Sequence, residues 1–128
     1  MTALLDVDLL ALEFNHDPVL LKGSNRPPWL IERVLGDEGH LSNAQAAALL
    51  RQALQRSSDG RLRQLVLLHL SRECNQPALA RAAAEAVLSE YGRHATAFVA
   101  EQDQPSPRFV VGESYRDQRL ADSTGGCP

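Results

Sequence analysis

The sequence predicts an α/β domain in which short buried strands alternate with amphipathic helices. Residues 65–68 form an uninterrupted hydrophobic run, LVLL, which is typical of a strand buried on both faces. The segment SNAQ at 42–45 has the form of a capping box, with Ser42 at the N-cap and Gln45 at N3. The alternation of strands and helices along the chain, with about four short strands, indicates a small layered sheet.

In the first half, Leu9 to Phe14 predicts a buried strand that ends at the NHDP segment. Residues 18–22 can form one or two helical turns that end at Gly23. A second short helix begins at Pro27-Pro28 and ends before Gly36, since proline favours the first helical turn and glycine the end.

After the capping box, the predicted helix carries one apolar stripe, formed by Ala46, Leu49, Leu50, Ala53 and Leu54. A loop at 57–60 leads to a strand over about 62–68. Pro77 begins another helix that ends near Gly92. Residues 97–100 and 108–111 predict two further strands, joined as a hairpin. We therefore predict one domain over 1–112 and a polar, disordered tail over 113–128.

Composition restricts the classes of function. A net charge of −3 provides no basic surface of the kind that holds nucleic acid by neutralising phosphates. The N-terminus lacks the basic residues of a signal peptide, and no apolar stretch is long enough to span a bilayer. Cys74 and Cys127 form no CxxC motif, and Cys127 lies in a glycine-rich tail. These features favour a reducing, cytoplasmic location without a structural disulfide.

The histidine at the end of the apolar run is the most informative candidate. Ligands of open α/β sheets bind beyond the carboxyl ends of the strands, and His69 follows the strand at that point. A lone histidine there is more often a core or loop residue. Two further segments change this interpretation when they are taken together with LLHLSRECN at 67–75. They are LEFNHD at 12–17 and DEGHLSNAQAAALL at 37–50.

These three segments resemble, in order and approximate spacing, the C-terminal half of a metallo-β-lactamase-fold hydrolase of the YycJ-type branch. That branch is related to the ribonuclease Z and cyclic-phosphate phosphodiesterase branches. The resemblance covers about residues 5–100 and implies half of an αββα sandwich. Most metal ligands of the superfamily precede the half that is resembled here: the HxHxDH motif, the next histidine ligand and the bridging aspartate. No HxH occurs in the chain. We therefore expect an incomplete fold, translated from an internal Met.

The resemblance also implies roles for individual residues. His69 corresponds to the last metal ligand of a dinuclear zinc or manganese site, and His40 to a histidine that donates a proton to the leaving oxygen. Glu13 is the candidate carboxylate that orients His40, the alternative being an exposed acid at the strand end. Relatives have a small residue where Phe14 stands. The roles of His16 and Asp17 stay open, although Asp17 can cap the next helix.

Other polar residues carry weaker interpretations. Arg72 and Asn75 flank the His69 loop, and they are either phosphate contacts or ordinary surface loop residues. Asp6 and Asp8 are read as the lead-in to the first strand and not as the bridging aspartate.

The leading hypothesis is a C-terminal fragment of a metal-dependent phosphodiesterase that acts on nucleic acid as an exonuclease in the intact family. Whether the chain itself is an enzyme stays open, because one histidine cannot hold a catalytic metal and tight zinc or manganese binding is not expected. The expected partner is the missing N-terminal half, or a second copy bound through an exposed sheet face. The alternatives are a non-enzymatic interaction module and a small α/β domain with incidental histidines.

Overall fold

The computed structural model describes residues 4–36, 39–58, 61–92 and 95–111. The elements in these ranges are β1 (Leu9–Glu13), α1 (Pro18–Lys22), α2 (Pro28–Leu35), α3 (Asn43–Arg56), β2 (Gln64–Leu68), α4 (Pro77–Glu90) and β3 (Thr96–Val99). The predicted α/β class is therefore confirmed, and the helices and first three strands lie within a few residues of their predicted positions.

The three strands form a parallel sheet in the order β1-β2-β3. Parallel neighbours need crossover connections, which α1 to α3 supply between β1 and β2 and α4 supplies between β2 and β3. Glu13 pairs in register with Leu68, and Leu67 pairs with Val99. The carboxyl ends of all three strands therefore lie along one edge of the sheet.

One face of the sheet packs against α3 and α4. Side chains alternate between faces along a strand, and the register brings the core-facing residues of the three strands together. The main buried cluster comprises Leu10, Leu12, Phe14, Leu65, Leu67 and Val99 from the sheet and its ends, with Ala46, Leu50, Leu54, Ala80, Ala84, Val87 and Leu88 from the helices. Burial of these apolar side chains is the main stabilising contribution to the fold.

The opposite face carries Ala11, Glu13, Val66 and Phe98, and Ala11 is exposed. The segment after β3 crosses part of this face. The Phe109 ring contacts the Phe98 ring edge-on at a centroid distance of 5.5 Å, and the Gln64 side-chain amide donates to the Val110 carbonyl at 3.2 Å.

The prediction of a fourth strand at 108–111 is wrong. These residues are described and adopt no strand conformation. Pro105 and Pro107 precede them, and proline restricts the residue before it and removes a backbone donor. Phe109 consequently packs across the sheet face instead of pairing along β3 in a hairpin.

A smaller buried cluster joins the short helices to the loop after β2. Leu21 of α1, Val34 of α2 and Cys74 form this cluster, and Cys74 is a fully buried free thiol. The helices of the described ranges are all too short or too polar to cross a bilayer. The predicted tail at 113–128 lies outside the described residues.

The capping box at the start of α3 gives a test of the local structure. The Ser42 hydroxyl accepts from the Gln45 amide at 3.1 Å, and the Gln45 side chain accepts from the Ser42 amide at 2.9 Å. Ser42→Ala should lower the free energy of unfolding by about 1 kcal/mol, because the first turn loses an acceptor. Urea denaturation measures the change. Ser89→Ala, on the exposed surface of α4, is the control and should shift stability by less than about 0.5 kcal/mol; an equal loss in both variants would contradict the capping role.

Candidate active site at the carboxyl edge of the sheet

Three loops meet where β1 and β2 end. The Phe14 amide donates to the Leu68 carbonyl at 3.1 Å, so the first residues beyond both strands stay in register. This continuation brings the segment after Glu13 beside His69. The loop before α3 joins them, because the Asn15 amide donates to the Leu41 carbonyl at 3.0 Å and the Asn43 amide donates to the His16 carbonyl at 2.8 Å.

Glu13 and His40 form a direct contact at this edge. The His40 Nδ1 atom lies 2.6 Å from Glu13 Oε1, and the side chains are 57% and 23% exposed, respectively. A carboxylate only accepts, so the shared proton is on Nδ1. Glu13 therefore fixes the orientation of the ring and leaves His40 Nε2 for another group. The predicted pairing of Glu13 with His40 is present as a contact, and its chemical role stays a prediction.

His69 lies directly after β2, at the sheet edge that holds the Glu13–His40 pair. It is exposed and has a backbone φ of +55°, a left-handed conformation that is uncommon outside glycine. Its carbonyl accepts a hydrogen bond from Asn15 Nδ2 at 2.7 Å. The exposed imidazole is suited to bind a metal ion.

The chain does not form a metal site from its own described residues. In the ranges 4–36, 39–58, 61–92 and 95–111, no three His, Cys, Asp or Glu side chains are grouped so that they could hold an ion. A catalytic zinc needs about three protein ligands. His69 therefore fits a metal ion only as one member of a larger ligand set, and the identity and number of ions stay predictions.

His16 lies inside the protein beneath these loops. It is 1% exposed, and its Nδ1 atom lies 3.3 Å from Asn15 Oδ1. Its Nε2 atom has no hydrogen-bond partner in the described part of the chain. Burial lowers the pKa of His16, and the nearby His40 lowers it further while Glu13 and Asp17 oppose the shift. His16 is therefore neutral near pH 7. Asp17 caps α1 through the Val19 and Leu20 amides.

A pair of buried asparagines connects all three loops. Asn43 Nδ2 donates to Asn75 Oδ1, and Asn75 Nδ2 donates to Asn43 Oδ1, both at 2.9 Å. Asn75 Nδ2 also donates to the Phe14 carbonyl at 2.9 Å. Asn75 is thus an interior structural residue, and the surface interpretation of it is wrong. Asn43 could not be identified from the sequence, because a single asparagine at the start of a helix gives no sign of a distant partner.

The other polar candidates lie away from the Glu13–His40 pair or are engaged elsewhere. Arg72 is exposed and contacts Gln102 at 3.0 Å and Asp103 at 2.6 Å, both in the segment after β3. Asp8 pairs with Arg61 at 2.8 Å near the amino ends of β1 and β2. Asp6 accepts from the Ser58 amide at 2.7 Å, and this hydrogen bond lowers the Asp6 pKa. Asp6 and Asp8 therefore lead into β1, as predicted.

The chain is similar to parts of two bacterial nucleases. It is 36% identical to exodeoxyribonuclease YycJ of Bacillus anthracis over 81 residues, which cover 62% of this chain and 29% of the relative. It is 36% identical to exodeoxyribonuclease WalJ of Streptococcus pneumoniae over 75 residues, which cover 59% of this chain and 26% of the relative. The chain therefore spans less than a third of the length of the curated relatives it matches. No protein-family model matches the chain, and no solved structure matches it.

Removal of one buried amide should destabilise the fold. Asn75→Ala leaves the Asn43 amide without its partner and should lower the free energy of unfolding by about 1–3 kcal/mol. The double variant Asn43→Ala/Asn75→Ala should lose less than the sum of the two single losses, since both remove the same interaction. Urea denaturation measures these values, and Asn25→Ala, in an exposed loop, is the control. If the loss in the double variant equals the sum of the two single losses, Asn43 and Asn75 are not coupled.

Burial of neutral His16 should make stability dependent on pH. Because the folded-state pKa is lowered, the unfolded chain binds more protons as pH falls below the ordinary histidine value, and stability decreases. The free energy of unfolding should therefore fall between about pH 7.5 and about pH 5.5. In His16→Gln this pH dependence should become shallower. The free energy of unfolding would be measured by urea denaturation at each pH. If it changes equally with pH in the two proteins, groups other than His16 cause the pH dependence.

Proposed function

Since this chain is a partial match to the YycJ/WalJ exodeoxyribonuclease family, which has the metallo-β-lactamase fold, we propose that it is the C-terminal half of a metal-dependent phosphodiesterase. The half that carries the HxHxDH motif would be supplied by a separate segment or polypeptide. The observation that carries this proposal is the Glu13–His40 contact of 2.6 Å at the strand edge that also bears His69.

The position of these residues suits a site between two halves. Glu13 alternates with Leu12 and so belongs to the sheet face opposite α3 and α4. Leu68, its partner in register, belongs to the same face and is half-buried. A second layer placed on this face would cover Ala11 and close over the Glu13–His40 pair.

His40 would act as the general acid. Glu13 accepts the hydrogen bond from Nδ1, which leaves Nε2 to donate a proton to the leaving oxygen of a phosphodiester. The side chain is more than half exposed, which leaves Nε2 accessible to a substrate.

His69 would contribute one ligand to the metal site of the assembled protein. The metal, zinc or manganese, would supply the activated water and stabilise charge on the phosphoryl group. The residues of this chain would orient the imidazole through the loop after β2 and donate the final proton. The remaining ligands would come from the N-terminal half.

The relatives' names support DNA as the substrate class and removal of nucleotides from an end as the reaction. The net charge of −3 suggests that this half contributes little of the phosphate-binding surface. We place the reaction in a reducing cytoplasm, which is consistent with the buried free thiol of Cys74.

Reconstitution tests the proposal. The full chain would be mixed with an N-terminal segment of a YycJ relative that contains the HxHxDH motif, and release of nucleotides from end-labelled DNA would be measured with Mn²⁺ or Zn²⁺. We expect a stoichiometric complex with metal-dependent activity. His40→Ala should retain metal and reduce turnover by about 10²–10⁴-fold, whereas His69→Ala should lose bound metal, as measured by elemental analysis.

Glu13→Gln should reduce turnover without loss of metal, because the amide no longer accepts as a carboxylate. Glu90→Gln, which breaks a surface pair with Arg51 on α3 and α4, carries the same chemical change and should leave activity unchanged. A complex without activity, or full activity in His69→Ala, would contradict the proposal. If the chain is a cooperatively folded monomer that does not bind the N-terminal segment, the alternative of a non-enzymatic interaction module is favoured.

A further inference from the structure

We infer that Asn15 is a positioning residue for His69: it holds the turn after β2 in the conformation that presents the His69 imidazole. This inference rests on the proposed ligand role of His69. Asn15 lies two positions after Glu13 and forms hydrogen bonds with the His69 turn and with the loop that carries His40.

Asn15 contacts the turn after β2 at two points, the His69 carbonyl and the Ser71 amide. Its side-chain Nδ2 donates to the His69 carbonyl at 2.7 Å, and its backbone carbonyl accepts from the Ser71 amide at 2.7 Å. Its own amide donates to the Leu41 carbonyl at 3.0 Å, next to His40. One residue thus connects the His69 turn with the loop that carries the general acid.

The backbone of His69 requires such support. Its φ of +55° is less favourable for a non-glycine residue than an extended or right-handed conformation. A carbonyl in this turn that lacks a protein partner could rotate toward solvent and relieve the strain. The short Asn15 bond opposes that rotation, and the direction of the imidazole depends on the same backbone conformation.

His16 in turn fixes the orientation of the Asn15 amide. Because Asn15 Nδ2 donates to the His69 carbonyl, the Asn15 atom facing His16 is the acceptor Oδ1, and His16 Nδ1 must carry the proton. The buried Nε2 atom then has only a lone pair, which agrees with the lowered pKa of His16. The neutral His16 ring therefore prevents the Asn15 amide from reversing.

The test uses the full chain, labelled for NMR and free of metal. The three-bond coupling between the His69 Hα proton and the carbonyl carbon of Leu68 reports the sign of φ, because it is large at the φ of +55° and small at a negative φ. Asn15→Asp keeps the oxygen that faces His16 and replaces the donor to His69 with a second oxygen. We expect the His69 coupling to change to the value of a negative φ in Asn15→Asp. Asn25→Asp, the same change in an exposed loop, should leave the coupling as in the wild-type chain.

The same variants are then compared in the reconstituted complex. Loss of a group that orients a metal ligand typically weakens metal affinity by about 10–100-fold, and we expect a decrease of this size for Asn15→Asp but not for Asn25→Asp. An unchanged His69 coupling in Asn15→Asp would overturn the inference. Failure of the proposed function would be distinguishable, since it would appear as a wild-type complex that retains no metal.

A measurement on the wild-type chain covers the case in which Asn15→Asp does not fold. The Asn15 side-chain amide protons should show a nuclear Overhauser effect to the His69 Hα proton and slow exchange with solvent. The His16 nitrogens should show a protonated Nδ1 and an unprotonated Nε2. Absence of the Asn15–His69 effect, or the opposite His16 tautomer, would overturn the inference.

Discussion

The reciprocal hydrogen bonds between Asn43 and Asn75 are the constraint on which the rest of the site depends. Both side chains are buried, and a buried amide is stable only when its donors and acceptors are paired. The pair joins the first turn of α3 to the loop before α4, and Asn75 also binds the carbonyl at the end of β1. The geometry is rigid because displacement of any one segment leaves a buried polar group without a partner.

These three segments bring the Glu13–His40 contact and His69 to one edge of the sheet. Glu13 and His40 meet across two of these segments, and the third presents His69. Core packing lies on the opposite face, between the sheet and the two long helices. The chain can therefore keep these side chains in place through its own hydrogen bonds, although its described residues include no group of three side chains that could hold a metal ion.

Much of the fold could be predicted because its signals are local. Pro28 and Pro77 begin helices, Ser42 with Gln45 forms a capping box, and the hydrophobic run at 65–68 is a central strand. The contact between Glu13 and His40 was expected only through the family resemblance, since 27 positions separate the two residues. The asparagine contacts could not be predicted, because Asn15, Asn43 and Asn75 acquire their partners through the tertiary fold. The prediction of a fourth strand was wrong for the same reason, because Phe109 packs against Phe98 on the face of the sheet and does not pair with β3 along its edge.

Paramagnetic relaxation by Mn²⁺ in the reconstituted complex tests the central claim most directly, because it locates the metal independently of turnover. If the carboxyl edge of the sheet is the metal-binding edge, the NMR signals of Glu13, His40 and His69 should lose intensity on addition of Mn²⁺. The signals of Asp8 and Arg61, near the opposite edge, should persist. Uniform broadening, or broadening centred on the Asp8–Arg61 edge, would contradict the account.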